Sequence, residues 1–499
     1  MPDSPRRRVH PIWKPPLLLA WAVACGGPAD KVDPAAPSNG DSDVVDSEVA
    51  DTDSVEVPPD PDPPEPAGCP PGPVIAPFSA AVQTFPIHPG ALANFVDDRD
   101  GDGVREVLVR GEFAKVYPWS ELIKDGDPLL TLQIPGERVV AYFPLSRFDL
   151  DSDGIRELWG SLGTDAEGSH FAVWGGTQVG MAAPAWNILS PEPSDPILAA
   201  AEVDGRPGVD LVVGRSFQLT PGGYDTSGAV LIYSGPMSPG DITLGAPAAT
   251  LSSTLPDARL GLDYVEDVNG DGQADIVASA PFWDGAGAVF IFLGPFTGDR
   301  TTDDADFMLL ADPADTRQRP NLFASGLADA DGDGVLDLLV SSVNNSVDAD
   351  GQGSVWLFRG PLSGVATTTD ADLRVDGDHP GASADGIFVD DLDGDGGADI
   401  QIMSHDWSPS PDVQLSADDT GAPDPRVMNG VGAAAFFLGT AQGRVHTSDG
   451  WLLVHPDEPA AFISFRSAGD LNNDGAMDLV TEFRRGARVV MGMLTPCPP

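Results

Sequence analysis

The sequence predicts an all-β fold, a seven-bladed β-propeller with calcium-binding loops, preceded by a disordered acidic Pro-rich tether. Three observations predict it. An acidic nine-residue loop recurs seven times; short apolar, β-branched runs follow the loops; and no segment shows a strong 3.6-residue periodicity.

The loops begin at Asp98, Asp149, Glu202, Asp267, Asp329, Asp391 and Asp470, a mean period of about 62 residues, which is the scale of a repeat architecture. All but the third place oxygen side chains at positions 1, 3, 5 and 9, with glycine usually at 6, as a hard cation wanting six to eight oxygens requires of a tight turn. The candidate ligands are Asp98, Asp100, Asp102 and Glu106; Asp149, Asp151, Asp153 and Glu157; Asp267, Asn269, Asp271 and Asp275; Asp329, Asp331, Asp333 and Asp337; Asp391, Asp393, Asp395 and Asp399; and Asp470, Asn472, Asp474 and Asp478. The third copy, EVDGRPGVD, puts Arg206 at position 5, where a fixed positive charge opposes a cation, so up to six calcium ions are expected. An EF-hand needs a bidentate Glu at position 12. Here that position holds Val109, Gly160, Ala278, Val340, Ile402 or Thr481, which excludes it.

Four strands per unit follow from the apolar runs. In the fourth unit these are RLGLDYVE before the loop, DIVASAP after it, then GAVFIFLG and DFMLLA. Radial repetition of four-stranded units leaves only short, protected edges. The apolar-Gly strand, the DxDxDGxxD turn, the ASAP segment and the GAVFIF strand resemble the FG-GAP repeats of integrin α-subunit propellers, over about residues 74 to 494. That resemblance implies metal loops joining the first and second strands on one face, with ligand contacts on the opposite face.

Closure of the ring is expected at the chain's ends. After ARVVMGML the last unit is one strand short, and VIAPFSAAVQTFP at 74–86 has nothing of its own to pair with, so this segment is expected to complete the last blade and remove an open edge. Cys69 and Cys497 flank that seam, and a disulfide between them, formed in an oxidising compartment, is expected. Free thiols are the alternative.

Residues 1–24 read as a signal peptide: a basic region with Arg6, Arg7, Arg8 and Lys14, then the short apolar LLLAWAVA. The AVAC segment resembles the lipobox of bacterial lipoproteins, which implies acylation of Cys25 and an exported protein, lipid-anchored to the outer membrane or cell surface of a Gram-negative bacterium. It departs from the commonest pattern with Ala22 where Leu is usual, and an ordinary cleaved signal is the alternative. Residues 25–72 are rich in Pro and Asp and hold no aromatic residue, so they read as a disordered linker. The propeller is expected over 73–499.

A net charge of −50 excludes nucleic acid and anionic lipid as direct partners, because both are repelled; membrane attachment is expected only through the N-terminal lipid. The seven histidines show no HExxH spacing, and GxSxG and phosphate-cradling glycine loops are lacking, so no catalysis is expected. A monomeric propeller recognising a glycan or protein ligand is the leading reading. Phe217, Tyr224, Trp283 and Trp407 lie on second-to-third-strand connections and are the candidate ligand contacts, ordinary packing being the alternative. An envelope scaffold and an extracellular polysaccharide-acting enzyme are the competing functions.

Overall fold

A computed structural model describes residues 74–77, 82–83 and 92–494 apart from short internal stretches, the longer of them 119–125, 134–148, 313–320, 405–432, 456–463 and 470–476. Every described residue falls in one compact unit, within Pro64–Pro499. Among the described residues there is no α-helix; the strands form seven sheets of four or five strands and one separate two-stranded hairpin.

The fourth sheet shows the plan. Gly261–Glu266, Asp275–Ala280, Ala288–Phe292 and Phe307–Leu310 pair antiparallel in chain order. The second and third strands are buried along their whole length, which is why they read as continuous apolar runs rather than alternating ones. Successive side chains of such a strand face opposite sides. Ile276 and Ala278 accordingly pack with Val212 and Val230 of the third sheet, while Val277 packs with Leu338, Val340 and Trp356 of the fifth. The same stacking continues from the fifth sheet to the sixth, where Leu339 and Val355 meet Ile400 and Ile402. Polar stitches join neighbours too: Ser279 Oγ accepts from Ala324 N–H of the next sheet at 2.8 Å, and Ser341 Oγ from Gly386 N–H at 3.0 Å.

An added parallel strand, unforeseen in the sequence, joins the outer edge of six of the sheets, as the fifth described strand in five of them and the fourth in the second sheet. Gly180–Ala182, Gly240–Thr243, Arg300–Thr301, Gly364–Thr367 and Gly443–His446 each leave their own repeat, between its third and fourth strands, and pair parallel with the outer strand of the preceding sheet. Three of these strands run into a 3-10 turn whose first residue is a buried threonine, Thr302, Thr368 or Thr447. Thr302 Oγ1 accepts from Thr254 N–H and Thr368 Oγ1 from Asp312 N–H, so each locks the donated strand to the sheet before it.

The N-terminal segment splits between two sheets. Val74–Pro77 takes the parallel outer place on the sixth sheet beside Leu452–His455, and Val82–Gln83 pairs antiparallel with Gly486–Leu494 as the fourth strand of the seventh, Val82 opposite Val490. The single strand expected over 74–86 is therefore two, because the first half continues the pattern of donated parallel strands. Residues 1–73, with Cys25 and Cys69, and Cys497 lie outside the described residues.

Candidate metal loops and the opposite rim

Each described loop sits between the first and second strands of its sheet, or just before the second. Its shape has a hydrogen-bonded frame. The position-1 carboxylate accepts backbone N–H groups of positions 5 and 6: Asp329 takes Asp333 N–H at 3.1 Å and Gly334 N–H at 2.8 Å, and Asp267 takes Asp271 N–H at 3.1 Å and Gly272 N–H at 2.7 Å. The position-5 carboxylate accepts from position 7, as Asp333 does from Val335 N–H at 2.8 Å. Positions 4 and 6 both take positive φ, Gly332 at 74° and Gly334 at 87°, so the turn needs two left-handed residues where the sequence pattern drew attention to one.

The frame turns the remaining carboxylate oxygens toward one another. Ligand atoms of Asp98, Asp100, Asp102 and Glu106 all lie within 4.8 Å of each other, as do those of Asp149, Asp151, Asp153 and Glu157, and those of Asp329, Asp331 and Asp333. Oxygens on opposite sides of one calcium ion are about 5 Å apart, since each sits about 2.3–2.6 Å from it, so these clusters fit that ion. Burial, reinforced by the adjacent carboxylates, pushes Glu106 and Glu157 each up to about 7. Asp100 and Asp151 are raised by the same two causes. The carboxylates thus carry a charge penalty that a divalent cation relieves.

Position 9 has a second task. Asp275, fully buried, accepts from Val268 N–H at 3.0 Å with one oxygen and from Gly294 N–H at 2.8 Å with the other. Asp337 holds Ala330 and Gly360 in the same way, and Asp399 holds Leu392 and Gly439. These aspartates staple the loop to the end of the third strand. The glycines are the functional residues that sequence reasoning passed over, and their signal was a recurrent Gly-Pro after the third strand, at Gly235, Gly294 and Gly360.

In the third loop Asp210 makes the staple to Val203, Asp204 and Gly235. Asp204 accepts from Ser234 Oγ at 2.6 Å, and the exposed Arg206 brings Nη1 to 3.8 Å from the same carboxylate. A serine hydroxyl and a guanidinium therefore face the position-3 oxygen. In the sixth loop Asp391 and Asp395 keep the common frame, whereas Asp393 lies outside the described residues. Asp470, Asn472 and Asp474 do also, and Asp478 is placed by its backbone alone, in the strand Met477–Phe483.

Second-to-third-strand connections lie at the opposite end of the strands from these loops. There Gln218–Thr220 and Gly223–Asp225 form the separate hairpin, which carries Tyr224. Phe217 is half-buried beside Arg215, Asp225 and Ser227. Trp283 packs edge-on against Phe290, ring centroids 5.0 Å apart, and half-buried against the core between the third and fourth sheets, so packing accounts for much of its surface. Trp407 lies outside the described residues.

The FG-GAP repeat family model matches residues 265–292, the stretch from the end of the fourth sheet's first strand through its loop to the end of its third strand; the chain carries an FG-GAP repeat there. No curated protein matches the chain. Solved structures similar to it include a crystal structure of BBS1N in complex with ARL6DN, soaked with mercury, at 11% identity over 84% of this chain and 95% of that one, with a TM-score of 0.39. A second, of the same complex soaked with lead, has 10% identity over 83% and 94%, with a TM-score of 0.35.

Proposed function

We propose that the seven sheets are the blades of a calcium-stabilised seven-bladed propeller that recognises a glycan or protein ligand at the cell envelope without chemistry of its own. The observation that carries the metal part is the Asp149, Asp151, Asp153 and Glu157 cluster, in which the fully buried Glu157 keeps Oε1 without a hydrogen-bond partner. An unpaired buried carboxylate oxygen is costly, and a cation ligated by it removes the cost.

Recognition falls to the rim away from the metals, where the inserted hairpin with Tyr224 and the Phe217 side chain stand out from the repeat plan. The N-terminal lipid on Cys25 and the 25–72 linker form the anchor and tether. Up to six loops take calcium, the third taking none. A glycan array probed with the purified chain, in calcium and again in EDTA, tests this reading. Calcium-dependent hits support it; a folded, calcium-loaded chain that binds no glycan and captures no envelope protein contradicts it.

A further inference from the structure

Not all the loops are of one kind. Where position 9 is Asp, as at Asp275, Asp337 and Asp399, both oxygens hold backbone N–H groups of the loop and of the third-strand end. Where it is Glu, the extra methylene separates the two tasks. Glu157 Oε2 keeps the staple to Leu150 N–H, while Oε1, buried and unpartnered, joins the cluster with Asp149, Asp151 and Asp153. The adjoining third-strand end is tied elsewhere: Gly175 N–H donates to Gln178 Oε1 at 3.0 Å, and the Gly175 and Gly176 carbonyls accept from Arg99 Nη1. Glu106 shares two of these features in the first loop, with Oε2 on Arg99 N–H at 2.6 Å and its carboxylate within the cluster of Asp98, Asp100 and Asp102.

We infer that Glu157 and Glu106 make the first two loops a separate, tighter class of calcium site, each offering four carboxylates where the fifth loop gathers three. Affinity in such loops follows ligand charge count and rigidity, and a fourth carboxylate delivered from the buried interior raises both. The inference rests on the calcium reading proposed above. It adds which sites fill first and which residue type sets the order.

Calorimetric titration of the purified full chain with calcium chloride tests it, comparing wild type with Glu157→Asp and Glu106→Asp. Aspartate already occupies this position, buried, in four other loops, at Asp210, Asp275, Asp337 and Asp399, so the substitutions copy a side chain the fold accepts. The expected result is a tight class of two sites in wild type, one of which weakens by about tenfold or more in each variant, with the weaker class unmoved. Unchanged tight binding in both variants overturns the inference while leaving calcium binding in place; no calcium binding in wild type overturns the calcium reading itself. Should either variant misfold, hydrogen exchange on wild type decides. Residues 149–157 are expected to gain protection at lower calcium than 329–337, and the reverse order overturns the ranking.

Discussion

Arg444 Nε donates to Asp376 Oδ2 at 2.7 Å, although the two residues belong to different repeats. Asp376 ends the fourth strand of the fifth sheet and is fully buried; Arg444 lies on Gly443–His446, the parallel strand donated by the sixth repeat. Arg374 Nε holds the other oxygen at 2.8 Å, and Ser354 Oγ donates to it as well. The donated strand is thus fixed by charge as well as by backbone pairing.

Asp376→Ala removes the buried carboxylate that Arg374 and Arg444 share, leaving Arg444 only its exposed pair with Asp348. Removing one partner of a buried pair costs about 3–5 kcal/mol. An unfolding free energy from denaturant titration lowered by that amount is expected, and a loss under about 1 kcal/mol contradicts the anchoring role.

Glycine placement gives a graded prediction. At Gly439 an added Cβ lies 2.0 Å from the Ala330 carbonyl oxygen and 2.4 Å from that of Ala398, both backbone atoms that cannot swing aside. At Gly364 nothing lies within 4 Å, and only the positive φ of 73° opposes a side chain. Gly439→Ala is therefore expected to cost about 3 kcal/mol or more, and Gly364→Ala about 1–2 kcal/mol. Melting curves of the two variants check the order.

Asp385, at the start of the sixth sheet's first strand, has a buried Oδ1 without a hydrogen-bond partner, and burial pushes its carboxyl up to about 6. A carboxyl raised in the folded state binds more protons there than in the unfolded chain. Its effect is therefore a loss of stability as pH rises from about 4 to about 6, complete above the folded value. Asp385→Asn should raise the melting temperature at pH 7.5, by about 1–2 kcal/mol in stability after allowing for its partial exposure, and change little at pH 4. Equal effects at both pH values contradict the assignment.

The strand plan of the fourth repeat was legible because its second and third strands are buried on both faces and so are written in apolar residues, DIVASA and AVFIF. The donated parallel strands were not. Gly240–Thr243 is almost wholly exposed and Arg300–Thr301 is two residues long, so neither leaves an apolar pattern. The acidic loops were legible as a spacing of carboxylates. The double role of position 9 was not, because Gly294 and Gly439, which share it, lie 19 and 40 residues further along the chain. Trp283 shows the same limit from the other side, since only its contact with Phe290 reveals how much of the ring is spent on packing.

Calcium should act on stability. Extracellular modules bind it with dissociation constants of about 10⁻⁴–10⁻³ M, so about 1 mM calcium at a 0.1 mM site contributes about 1.4 kcal/mol. EDTA is expected to lower the melting temperature markedly. An unchanged melt, with metal removal verified, contradicts a structural role.

Counting the ions directly is the sharpest measurement. Native mass spectrometry of the purified chain, titrated with calcium and then with magnesium, is expected to show discrete calcium additions that stop at six, with magnesium a poor substitute. A chain that stays metal-free at millimolar calcium, or takes up the two ions indifferently and without limit, contradicts a propeller built around calcium loops.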